Sequence, residues 1–320
     1  MKDQIDVFDA HCDALLLRLL YGGTLRENGR HLDLKRMSAY RRYVQFFAIW
    51  GDAQAFPGCD LRGAPPESFF PAEYELFRSE MEANRDCISF CRSGEEIRAA
   101  LEGGKMAALL SVEGGELLGC SLERLEEAHA KGVRAVNLTW NHANALSGSN
   151  AERPELGLTR QGRDFVRKME RLGMLVDVSH LSDPGFWDVA DMLSGPFIAS
   201  HSNARSVFFH PRNLTDAQFT AIIEHNGVAG LNLYANFLGE KAGVDTVIAH
   251  LEHCLDLGGA AHVALGTDFD GCSLLPAGIS GVQDLERLWE RLLQRNYGRE
   301  LLRALFFENL MRVVSKVCTM

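Results

Sequence analysis

Apolar residues in this chain fall into short runs that a pleated strand would bury, separated by stretches where they recur every three or four positions. The runs Ile5–His11, Val44–Trp50, Met106–Val112, Ala135–Thr139, Met174–Ser179, Phe197–Ser200, Val228–Leu233 and Val263–Thr267 predict eight strands. Several are apolar on both faces, which suits parallel strands covered by helices.

The intervening segments carry helix signals. Phe70, Tyr74, Phe77 and Met81 mark one helical face. Ser121 is placed to cap a helix that carries Leu122, Leu125 and Ala128 and stops near Gly132, and Thr159 leads another through Phe165 and Met169 to Gly173. Asp183-Pro184 reads as a capping carboxylate before a proline, and Thr215 with Gln218 as a capping box. Val244, Val247, Leu251 and Leu255 mark another face, as do Val282, Leu285, Leu288 and Leu292.

Eight strands alternating with helices predict an α/β chain folded as a (β/α)8 barrel, with an open doubly wound sheet as the alternative. No glycine-rich nucleotide fingerprint follows a strand, so dinucleotide and nucleotide readings lack support. Residues 1–320 read as one domain, with an inserted loop over Asp52–Glu67 and a helical tail over Gly298–Met320.

Composition narrows the function classes. The chain has 46% hydrophobic and 24% charged residues and a net charge of −10, which argues against nucleic acid or an anionic membrane as its main partner. No apolar stretch is long enough to span a bilayer, and no signal or anchor segment is evident, so the expected location is cytoplasmic. The eight cysteines form no Cys-x-x-Cys pair and are expected to be mostly buried thiols; Cys87 and Cys91 could share a helical face.

The chemistry lies at the strand ends. His11 and Asp13 close the first predicted strand, two residues apart on one side of an extended chain, either as a metal claw or as two polar residues facing water. Glu113 follows the third strand, His142 the fourth, His180 the fifth, His201 the sixth and Asp268 the eighth. In a parallel barrel these positions converge on the C-terminal rim, where barrel enzymes place their active sites. Even with His142 set aside, three histidines and three carboxylates exceed what one four-coordinate zinc uses and suit two metals sharing a bridging carboxylate.

The segments Asp9-Ala-His11-Cys-Asp13, Ser111-Val-Glu113-Gly-Gly, Asn137-Leu-Thr-Trp-Asn-His142, Asp177-Val-Ser-His180, Ser200-His201-Ser-Asn, Arg212-Asn213 and Gly266-Thr-Asp268-Phe-Asp-Gly271 resemble, in order and approximate spacing, the motifs of the membrane (renal) dipeptidase family. That resemblance implies a binuclear zinc barrel that cleaves dipeptides, in some members with a C-terminal D-residue. It assigns His11 and Asp13 to one zinc, His180 and His201 to the other, and Glu113 to the bridge. It makes Asp268 the catalytic carboxylate, His142 the group that binds the developing oxyanion, and Arg212 the partner of the substrate carboxylate, with Tyr234 assisting there. A homodimer is the family expectation.

This chain has Ala10-His11-Cys12-Asp13 where family members often have Gly-His-Asn-Asp; both ligands survive the change. Other roles remain open on the residues alone. Arg212 could pair with Asp216, His142 could brace its own loop, and Glu116 competes with Glu113 as the metal carboxylate. His129, His225, His250, His253 and His262 read as structural or solvent-exposed. The rival functions are a related metal amidohydrolase acting on a cyclic amide, lactone or β-lactam, and a catalytically silent metal-binding barrel.

Overall fold

A computed structural model describes residues 5–52 and 63–319. Eight parallel strands close into a barrel: β1 (Asp6–Asp9), β2 (Arg42–Ile49), β4 (Met106–Glu113), β5 (Val133–Asn137), β6 (Leu175–Asp177), β7 (Ile198–Ala199), β8 (Val228–Leu231) and β9 (Val263–Leu265). The seam joins β1 to β9 through Asp9 and Leu265. A ninth strand, β3 (Ile88–Phe90), pairs only with the start of β4, on the side where β5 takes over from Leu110 onward. The hydrophobic pattern does not predict β3. It is three residues long, and it separates Cys87 from Cys91, which therefore do not share a helix face.

Most barrel strands end earlier than their apolar runs. Regular pairing stops at Asp9, Asp177, Ala199, Leu231 and Leu265, because side chains take over the backbone bonding. One oxygen of Asp177 accepts from the N–H groups of Ser179 and Ser200, both at 3.0 Å. Asp9 accepts from the Thr267 N–H at 2.8 Å and from its hydroxyl at 2.6 Å. Just past these carboxylates the chain is held at the rim by fixed, buried side chains together with single backbone bonds, from Ala10 N–H to the Leu265 carbonyl and from Val178 N–H to the Ile198 carbonyl.

The helices form largely where their caps predict. The hydroxyls of Ser121 and Thr159 accept from Arg124 N–H and Gly162 N–H, and Gly173 ends its helix in the left-handed region. Thr215 and Gln218 complete a reciprocal capping box. The helix Asp183–Met192 is capped by Ser182 rather than Asp183, its hydroxyl accepting from Gly185 N–H. That leaves the Asp183 carboxylate free to bind Arg205 through both oxygens and to accept from Gln218. Phe70, Tyr74, Phe77 and Met81 are all buried on the helix Phe69–Ala83. The predicted loop over Asp52–Glu67 falls largely on residues 53–62, which lie outside the described residues.

Two apolar layers hold the barrel. Outside, strand side chains such as Val7, Phe47, Leu110 and Val136 pack under the surrounding helices. Inside, Phe8, Val44, Phe46, Leu109, Leu175, Ile198 and Val228 fill the N-terminal half of the barrel. The tail closes that end: a π-helical turn Ala304–Glu308 and the helix Asn309–Val317 send Phe307, Leu310, Val313 and Val314 into the same cluster. Among the described residues, no helix is long and apolar enough to cross a membrane.

Candidate metal centre

With its lower half plugged by hydrocarbon, the barrel leaves only its C-terminal end for polar chemistry. His11, Asp13, Glu113, His180, His201 and Asp268 all reach that end and are all buried. Glu113 stands at the centre. Its Oε2 lies 3.6 Å from His11 Nε2, while its Oε1 lies 2.9 Å from His180 Nε2 and 3.3 Å from His201 Nε2. Asp13 Oδ2 is 3.5 Å from His11 Nε2. Single ligand atoms of His11, Glu113 and His201 fall within 4.8 Å of one another, and so do those of His11, Asp13 and Asp268.

Several features of this donor set suit a metal. His180 Nδ1 is bonded to Asn141 Oδ1 at 2.9 Å and His201 Nδ1 to Ser200 Oγ at 2.7 Å, which leaves each Nε2 to face Glu113. Such outer partners fix ring orientation and tautomer in metal sites. Burial, followed by the charges of Arg212 and His11, pushes His180 well below the usual imidazole range. Burial with His11, Arg212 and His180 does the same to His201. Both rings are therefore neutral lone-pair donors at pH 7.

His11 behaves differently. Burial disfavours its charge, yet Glu113 and Asp13 hold its pKa up at about 10. Burial, Asp13 and Asp268 drive Glu113 well above the carboxylate range against the pull of His11. Burial and Asp13 raise Asp268 to about 7, opposed by His11, Asn232 and Arg212. A cluster this short of positive charge calls for a cation among the carboxylates. His11 Nε2 and Asp13 Oδ1 are buried without hydrogen-bond partners, so ligand positions are available.

The backbone is strained at this rim. His180, Asp268 and Asp270 adopt φ of 68°, 59° and 69°, a region unusual for residues with side chains and costing on the order of 1–3 kcal/mol each. Gly271 is enclosed: a Cβ there would lie 1.9 Å from Asp13 Oδ2 and 2.3 Å from Asp268 Oδ1.

The remaining predicted residues lie around this cluster. Arg212 is buried, with NH1 donating to Ser202 Oγ at 3.3 Å, NH2 donating to the His201 carbonyl at 3.2 Å, and Nε without a partner. It makes no ion pair among the described residues; Asp216 is bound instead by His253 and Ser206. Burial lowers the Arg212 pKa to about 10 although Asp268, Glu113 and Asp177 support its charge. His142 lies outside the cluster and is half exposed, its ring nitrogens 3.4 Å from Asp52 and 3.3 Å from Glu152. Tyr234 is half-buried, its hydroxyl 3.3 Å from Ser273 Oγ and its ring against Phe237. Glu116, the competing carboxylate, is turned toward the loop, where it accepts from Asn144 at 2.6 Å.

Sequence reasoning missed the supporting residues. Asn232 donates to Asp268 Oδ2 at 3.0 Å and accepts from Tyr234 N–H at 2.6 Å, so it couples two rim loops. Asn141 and Ser200 orient the two histidines, and their positions beside quoted motif residues were the available signal.

Comparisons with known proteins identify the family to which this chain is similar. The sequence model of the membrane dipeptidase family, peptidase family M19, matches residues 1–320. The dipeptidase tcpJ of Claviceps purpurea is 30% identical over 299 residues, covering 90% of this chain and 69% of that protein. A metallopeptidase from Rhodobacter sphaeroides, liganded with a phosphinate mimic of the dipeptide L-Ala-D-Ala, is 31% identical with a TM-score of 0.88, covering 98% of this chain and 100% of that one. Dipeptidase AC, a metallopeptidase of family M19, is 30% identical with a TM-score of 0.87 and covers 99% of each chain.

Proposed function

Since the chain belongs to the membrane dipeptidase family and is a metal-dependent dipeptidase, we propose that it works with two zinc ions held by His11 and Asp13 on one side, His180 and His201 on the other, and Glu113 between them. The two faces of Glu113 support that division, Oε2 toward His11 and Oε1 toward His180 and His201. When bound, such ions supply Lewis acidity for the scissile carbonyl and a nucleophilic hydroxide at neutral pH.

The chain's own groups do the rest. Asp268, fixed by Asn232, takes the proton released as water attacks the carbonyl carbon, and hands it to the departing nitrogen as the C–N bond breaks. His142, at the rim between Asp52 and Glu152, is the candidate donor to the developing oxyanion. Arg212 binds the C-terminal carboxylate of the substrate, with Tyr234 beside it, and this contact restricts the site to short peptides. The single observation that carries the dipeptide reading is this guanidinium, buried beside the cluster with no ion pair among the described residues.

Substrates with a C-terminal D-residue belong to the same proposal, supported by the L-Ala-D-Ala mimic bound to the Rhodobacter sphaeroides relative. So do a homodimer and a cytoplasmic place of work; the seven free cysteines among the described residues suit a reducing compartment. Metal analysis per chain, combined with a panel of L,L and L,D dipeptides, tests the core of this reading. Two zinc ions with release of free amino acids are expected. A fully active protein holding a single metal would overturn the bridged pair, and hydrolysis of cyclic amides in preference to dipeptides would overturn the substrate.

A further inference from the structure

A cavity near the plugged, N-terminal end of the barrel lies on the face opposite the metal centre, between the helix Gly94–Glu102 and the tail helix Asn309–Val317. Its volume is about 760 Å³, within the range of small-molecule sites. Leu101, Phe307 and Met311 give it an apolar floor. The charged side chains around that floor are Arg42, Arg98, Arg312 and Lys316 against Glu102 and Glu308, an excess of positive charge in a chain whose net charge is −10.

These cations are not all equally available. Arg42 binds Asp6 and lies 4.7 Å from the centre of the Phe307 ring, and Arg312 is bonded to the carbonyls of Asn226 and Ala261. Arg98 donates only to Ser315 Oγ at 3.2 Å, and neither it nor Lys316 makes an ion pair among the described residues. Arg98 stands on one wall and Lys316 on the other, so an anion between them would bridge the two helices.

We propose that this cavity is a binding site for an amphiphilic carboxylate, with its hydrocarbon body on Leu101, Phe307 and Met311 and its head group between Arg98 and Lys316. The combination decides the class of ligand. An apolar floor alone would accept any hydrocarbon, and a cationic rim alone would accept any small anion; together they select a molecule that carries both. Catalytic residues of barrel enzymes gather on the opposite face, so the ligand acts by fastening the tail helix to the body of the barrel and not by entering the reaction.

Isothermal titration of the metal-loaded protein with octanoate tests this, using acetate, octylamine and octyl glucoside for comparison. Saturable octanoate binding is expected, at least about tenfold tighter than that of any comparator. It should persist when a phosphinate dipeptide mimic saturates the active site. The double substitution Arg98→Gln/Lys316→Gln, and separately Met311→Glu, should each weaken it about tenfold or more while kcat/KM for dipeptides stays unchanged. The proposal is overturned by absence of saturable binding, by displacement with the phosphinate, by equal binding of acetate or octylamine, or by undiminished binding in both variants.

Discussion

The Nε2 atoms of His180 and His201 face each other across 3.1 Å and share one carboxylate oxygen, Glu113 Oε1. With their other ring nitrogens bonded to Asn141 and Ser200, two neutral imidazoles in this arrangement turn lone pairs toward the same small volume. A cation resolves that conflict, whereas packing alone does not.

The first prediction concerns metal removal. Chelation should leave Asp13, Glu113 and Asp268 buried with only the charges of His11 and Arg212 to offset them, so the apoprotein should be less stable. A ligand present at 100 times its Kd stabilises by about 2.7 kcal/mol, and a loss of that order is expected in urea unfolding after dialysis against chelator. Added zinc should restore both stability and activity. Unchanged stability would mean that the cluster tolerates its carboxylates without a metal.

Ser200→Ala should loosen His201 without removing a ligand. The loss of an outer partner of this kind costs about 10–100-fold in metal affinity or activity, and competition with a chromogenic chelator measures the affinity. An affinity equal to that of wild type would show that the 2.7 Å contact between Ser200 and His201 does not orient the ring.

Asp268→Asn should retain the metals and lose kcat on the order of 10²–10⁴-fold, since an amide of nearly the same shape cannot relay a proton. Metal content and turnover are measured on the same sample. Near-normal turnover would assign the proton transfers to another group.

Arg212→Met should lower kcat/KM for free dipeptides by about 10²-fold or more, and should barely affect C-terminally amidated ones. The two substrates and two proteins form a cycle that isolates the carboxylate contact. An equal loss on both substrates would make Arg212 a support for the Ser202 and His201 backbone that it touches.

Gly271→Ala should push a methyl group between Asp13 and Asp268, whose oxygens lie 1.9 Å and 2.3 Å from where its Cβ would stand. A misplacement of roughly 1 Å at reacting groups costs on the order of 10²-fold in rate. Dipeptide kinetics, alongside circular dichroism to confirm the fold, check this. Full activity would show that the rim loop moves freely enough to make room.

The barrel and the gathering of His11, Glu113, His180, His201 and Asp268 at its rim were legible because most strands are dominated by apolar residues and each of these five side chains stands at the end of one. Strand length was not legible: Asp9 and Asp177 replace ladder bonds with side-chain bonds, and periodicity carries no trace of that substitution. β3 escaped notice because its three residues hold a polar Ser89 between Ile88 and Phe90, with no longer apolar run around them. The cap at Ser182 was misassigned to Asp183, since both residue types cap helices and the choice depends on Arg205 and Gln218, remote in sequence, claiming the carboxylate. The surface position of His142, between Asp52 and Glu152, likewise depends on a segment 90 residues away.

The seam between Asp9 and Leu265 and the plug contributed by residues 304–317 also set an order of events during synthesis. A ribosome adding about 5–20 residues per second places Asp268 on the order of 10–50 s behind Asp13. Throughout that interval the strand bearing His11 and Asp13 lacks its β9 neighbour, so the barrel stays open along that edge. The enclosed grouping of His11, Asp13 and Asp268 therefore exists only once the ninth strand has docked, after nearly the whole barrel has been translated.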